Sequence, residues 1–95
     1  MPEYGTKTVN TITVTVTGAV RKPGIYYLAQ GSTLLDTMDK SIWLRSTNGK
    51  VEVSRTVNGN AVKLDITIEE RTFKLLDGDV VHIGTMMDNV IHQGH

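Results

Sequence analysis

The sequence predicts an α+β fold, one main helix packed on one face of a mixed sheet, and three observations carry that expectation. Thr, Val and Ile supply 31 of the 95 residues. Such β-branched side chains suit a pleated surface and lose rotamer freedom in a helix. Stretches with a period of two occur in both halves of the chain, and between them only one segment carries helix signals.

Thr11 to Thr17 alternates without a break. Ile12, Val14 and Val16 point one way and the threonines the other, so one face meets a core. Gly18-Ala19-Val20 leads into Arg21-Lys22-Pro23-Gly24, where Pro followed by Gly predicts a type II turn with Lys22 first. The apolar run Ile25-Tyr26-Tyr27-Leu28 then completes a hairpin.

Helix signals begin at Gly31-Ser32-Thr33. Thr33 and Asp36 have capping-box spacing. Leu34, Leu35, Met38 and Ile42 fall on one stripe, while Asp36, Thr37, Asp39 and Lys40 face outward. The helix is expected to end between Lys40 and Arg45.

The second half returns to strands. Asn48-Gly49 reads as a turn before the alternating Lys50–Arg55 stretch. Asn58-Gly59 suits a two-residue hairpin loop, because both positions need φ > 0. Val62, Leu64, Ile66 and Ile68 alternate with Lys63, Asp65, Thr67 and Glu69, Asp77-Gly78 turns the chain, and Asp79–Ile83 makes a last strand. A right-handed crossover through the helix places that strand centrally. Hairpin, helix, hairpin and final strand is the order of a β-grasp domain, expected over residues 9–85 between flexible tails at 1–8 and 86–95.

Composition narrows the function. A chain of 95 residues is one domain, burying roughly 60–65% of its unfolded surface and leaving little room for an enclosed catalytic pocket. Ten basic residues balance ten acidic ones, which argues against duplex nucleic acid or an anionic membrane as partner. There is no Cys, hence no thiolate nucleophile or disulfide, and no apolar run near the roughly 20 residues needed to span a bilayer. Met1–Gly5 lacks the basic and apolar regions of a signal peptide. The chain is either cytosolic or a domain of a longer exported parent.

Val14–Tyr26, with its alternating Val, Gly-x-Val, basic residue, Pro-Gly and aromatic strand, resembles the opening signature of the SLBB (soluble ligand-binding β-grasp) family. Gly31–Asp36 is similar to the family's helix start, Val51–Arg55 to its strand ending in Arg, and Leu76–Ile83 to its closing Gly-Asp strand. The resemblance spans roughly residues 9–84. One departure stands out: where relatives often leave the helix through Ala-Gly-Gly, this chain has Asp39-Lys40-Ser41-Ile42-Trp43-Leu44. The resemblance implies a non-catalytic binding or assembly module of a periplasmic, outer-membrane-associated polysaccharide export or capsule-biosynthesis protein. Its partners would be glycan or sister subunits, with homo-oligomerisation in the parent. The alternative is a β-grasp interaction module of a DNA-uptake or ubiquitin-like system. The Gln93-Gly94-His95 ending lacks the Gly-Gly of ubiquitin-like carriers.

Arg21 and Lys22 beside Tyr26 and Tyr27 are the candidate ligand site, since rings stack on sugar faces and Arg donates a planar fork to acidic groups. The competing reading makes the two cations solvated turn residues and one Tyr core. Arg55 either pairs with Asp65 or Glu52, the favoured reading, or meets a ligand anion. Trp43 reads as core packing. His82, His92 and His95 offer no set of four zinc ligands, and Asp77-Gly78-Asp79 lacks the further carboxylates of a calcium loop. No catalytic motif, metal site or cofactor is expected. If the Thr11–Thr17 or the Lys63–Glu69 strand lies at the sheet edge, its unpaired backbone groups make that edge a candidate assembly surface.

Overall fold

The computed structural model describes residues 1–86. Its elements are β1 (Glu3–Tyr4), β2 (Thr11–Gly18), β3 (Gly24–Ala29), α1 (Leu34–Ser41), β4 (Thr47–Val57), β5 (Asn60–Thr67) and β6 (Val80–Thr85). The strands form a six-stranded mixed sheet in the order β1-β3-β2-β6-β4-β5. The fold is α+β with a β-grasp arrangement. Its last strand lies centrally, parallel to β2 and antiparallel to β4.

The core follows the period-two pattern. Ile12, Val14 and Val16 of β2 are buried, and Val14 lies opposite Tyr26 while Ile12 lies opposite Leu28. Val51 and Val53 of β4 and Val81 and Ile83 of β6 extend the same layer, closed by Leu34 and Leu75. Each fully buried side chain of this size contributes about 1.5–3 kcal/mol. The β4–β5 loop forms at Asn58 (φ 51°) and Gly59 (φ 80°), as the dipeptide predicts.

Tertiary contacts redirect several local expectations. Within residues 1–8, which the sequence predicts as a tail, Glu3 and Tyr4 pair in parallel with Ile25 and Tyr26. The cause is the otherwise unpaired edge of β3, whose Ile25 N–H donates to the Pro2 carbonyl at 2.8 Å. A Cβ at Gly24 would stand 2.5 Å from that same oxygen, so glycine is what allows the approach. This bond also displaces the type II turn, which would have sent the Ile25 N–H to Lys22. The β2–β3 connection becomes an arch docked on the helix exit: Arg21 and Lys22 N–H groups donate to the carbonyls of Ile42 and Ser41 at 2.9 and 3.0 Å. They satisfy acceptors that a helix end leaves open.

The helix is rotated from its expected face. Leu34, Thr37 and Ser41 are buried, whereas Leu35 and Ile42 are exposed. Leu34 and Leu35 N–H groups bond the carbonyls of Phe73 and Arg71, fixing the rotation at the N-terminus. Thr37 and Ser41 tolerate burial because their hydroxyls donate back to the Leu34 and Thr37 carbonyls. The Asp36 carboxylate accepts the Thr33 N–H at 2.8 Å, the reach-back half of the anticipated capping box. Asn48-Gly49 is not a turn between elements but lies within β4, where the register to β6 shifts between Thr47 and Val51. His92, His95 and the Gln93-Gly94-His95 ending lie outside the described residues.

Candidate functional site

A cleft of about 220 Å³ opens at the β1 edge of the sheet, lined by Tyr4, Gly5, Lys22, Tyr26, Tyr27, Leu28 and Lys40. Three chain segments build it: β1, the arch before β3 with β3 itself, and the last turn of α1. Lys22 is held by its N–H bond to Ser41 and by the Tyr26 hydroxyl, which donates to the Lys22 carbonyl. Tyr26 is itself buried, and the Tyr4 ring stacks on it with centroids 4.7 Å apart. The half-buried Tyr4 thus has the buried Tyr26 as its backing.

The lining carries two lysines and no carboxylate. A lining that combines two lysines with tyrosines suits a small acidic ligand, which has both a charge and an apolar surface to partner. Burial, then the neighbouring Tyr4, raises the Tyr26 phenol above its ordinary value. Tyr27 is also raised, first by the hydrogen bond its hydroxyl donates to Glu3, then by burial and the Glu3 charge. Both tyrosines are thus uncharged donors at neutral pH.

Of the residues singled out in the sequence, Lys22, Tyr26 and Tyr27 meet at this cleft and Arg21 and Arg55 do not line it. Tyr26 and Tyr27, consecutive on a strand, point to opposite faces of the sheet, so their rings do not form one platform. Arg21 is exposed and contributes its backbone N–H to the helix exit. Arg55 is in an ion pair, as favoured, but its partner is neither Asp65 nor Glu52. Its Nε and Nη2 bond both carboxylate oxygens of the fully buried Asp79, at 3.2 and 2.8 Å. The Phe73 ring lies 5.1 Å from the guanidinium, and the Lys74 carbonyl accepts from Nη2. The side chain follows the core face of β4, which aims it at the returning 73–79 segment rather than at Asp65 and Glu52 on the other face.

Tyr4, Gly5, Leu28 and Lys40 are the lining residues that sequence reasoning missed. A two-residue strand is too short to show periodicity, and Lys40 reads as a solvated helix position until the arch brings Lys22 beside the same turn. Trp43 packs against the core, as expected, and pairs with Val20 through an isolated bridge. His82 shares a hydrogen bond with the Thr17 hydroxyl across β2 and β6. Among the described residues no three His, Asp or Glu side chains converge as metal ligands.

The family comparison falls on this region. Residues 13–53 match the SLBB domain. The SLBB match runs from β2 to Val53 of β4, taking in Lys22, Tyr26, Tyr27 and Lys40 and leaving Tyr4 and Arg55 outside. SLBB domains are non-catalytic ligand-binding modules found in polysaccharide export proteins. No curated protein and no solved structure matches the chain. No helix among the described residues is long and apolar enough to cross a membrane.

Proposed function

We propose that the domain is the ligand-binding module of a periplasmic polysaccharide export or capsule-biosynthesis protein associated with the outer membrane through its parent. It holds an acidic sugar of the exported glycan without chemistry on it. The observation that carries this reading is the cleft whose lining brings Lys22 and Lys40 together with the half-buried Tyr4. The SLBB match over residues 13–53 supports the class of module, and the lysines and tyrosines lining the cleft support a preference for an acidic glycan. Its volume of about 220 Å³ is below the roughly 300–1,000 Å³ of a drug-sized pocket, which suits a single ring and its carboxylate. Arg21, at the start of the arch, is exposed and free to meet a neighbouring sugar or a sister subunit.

Calorimetric titration with an oligouronate and a neutral oligosaccharide of equal length tests the reading. The uronate binds more tightly and weakens with added salt, because exposed ammonium–carboxylate contacts are screened. Equal affinity for both, or none for either, would overturn it.

A further inference from the structure

The sheet has a second edge, on the far side from the cleft. Among the described residues β5 ends the sheet with no strand on its outer side. We propose that a second copy of this chain pairs there: β5 joins the β5 of its copy in antiparallel fashion about a two-fold axis at Leu64, continuing the sheet across the dimer.

The hairpin decides which backbone groups are available. A two-residue loop makes Val57 and Asn60 a hydrogen-bonded pair. Alternation then aims the N–H and C=O groups of Val62, Leu64 and Ile66 at β4 and those of Ala61, Lys63 and Asp65 outward. The Ile68 N–H, which bonds the Gly49 carbonyl at 3.0 Å, keeps that phase. The outward Thr67 N–H is already held by the Glu70 carboxylate at 2.9 Å, which ends the free edge.

Charge then selects the register. Antiparallel copies bond outward residues to outward residues, so with full overlap the axis falls on Lys63, Leu64 or Asp65. An axis on Lys63 sets lysine against lysine, and one on Asp65 sets aspartate against aspartate; both are unfavourable. An axis on Leu64 sets Lys63 against Asp65 twice, each pair exchanging both backbone bonds. It also places Leu64 against Leu64 and Val62 against Ile66.

Two features of the single chain fit this pairing. Asp65 stands directly opposite Glu52 on β4, a like-charge pair that the copy's Lys63 relieves. The pair between Lys63 and Glu52, 3.7 Å apart with Lys63 73% exposed, leaves the lysine free to swing across. Val62, Leu64 and Ile66, all half-buried on the core side, gain apolar cover from their counterparts. The contact is isologous and closes as a dimer. It leaves both clefts open and does not depend on what they bind.

Sedimentation equilibrium of the full chain without sugar tests the pairing. The chain shows a monomer–dimer equilibrium that weakens with salt. Lys63→Glu and Asp65→Lys each weaken it by about tenfold or more, since each turns both attractive pairs repulsive. Mixing the two variants restores association as a heterodimer, because the all-acidic edge then meets the all-basic one. Both positions are exposed, and circular dichroism confirms that each variant folds. A chain that stays monomeric at about 1 mM, variants that dimerise like the parent, or a mixture that does not associate would each overturn the proposal.

Discussion

The Tyr4 ring lies on the buried Tyr26 ring with the two planes 22° from parallel and their centroids 4.7 Å apart. That stack fastens a two-residue strand to the core and makes the N-terminal segment a wall of the cleft. Tyr4→Ala should lower stability by at least about 1 kcal/mol, the usual worth of an aromatic pair before its lost burial is added. Urea unfolding measures it. The same variant should lose sugar affinity, whereas a loss of stability alone would make Tyr4 a strut and not a platform.

Alkaline pH should weaken the fold through the same residues. The folded-state pKa of Tyr26 is raised, mainly by burial and then by Tyr4. The folded protein therefore holds that proton more tightly than the unfolded chain. The resulting stabilisation is fully present below the unfolded tyrosine value of about 10, and is lost as pH rises through the folded value. Denaturant midpoints between pH 8 and 11 should fall, and Tyr26→Phe should flatten part of that fall. Parallel curves for parent and variant would show that Tyr26 carries none of it.

The Arg55–Asp79 pair should behave as a structural clamp. Arg55→Met leaves the fully buried Asp79 carboxylate with the Leu76 N–H but no counter-charge, which costs about 3–5 kcal/mol. Thermal and urea unfolding report the loss. Sugar affinity measured on the folded fraction should remain unchanged, because Arg55 does not line the cleft.

Ile42 caps the helix at φ 57°, in the left-handed region that a β-branched residue rarely enters. A glycine would take up this conformation without a Cβ penalty. The Ile42 side chain is 42% exposed, so little packing compensates the strain. Ile42→Gly should raise stability by about 1 kcal/mol, the left-handed penalty less the extra freedom of the unfolded chain. A lower midpoint in urea would mean that the isoleucine side chain contributes more contact than its exposure implies.

Much of the fold was legible because strands declare themselves through local alternation. Val14 and Val16 had to face the core once Thr13 and Thr15 faced water, and Asn58-Gly59 had to turn because both positions take φ > 0. The helix start was legible at Thr33 and Asp36 for the same local reason. Its rotation was not, since bonds donated to the carbonyls of Phe73 and Arg71, far along the chain, set which side meets the sheet. The Pro23-Gly24 turn was overridden by Pro2, and the partner of Arg55 emerged only when the 73–79 segment crossed beneath β4. At the cleft, Lys22 and Tyr26 could be named from the Pro-Gly signature. Tyr4 and Lys40 reach it through a tertiary strand addition and an arch-to-helix contact, neither of which leaves a periodic trace.

Amide chemical shifts mapped on the folded chain during titration with an acidic oligosaccharide would locate glycan binding directly. Saturable shifts should concentrate at Gly5, Lys22, Leu28 and Lys40 and be abolished by Lys22→Glu together with Lys40→Glu. Shifts that gather elsewhere on the sheet, or survive that double change, would contradict it.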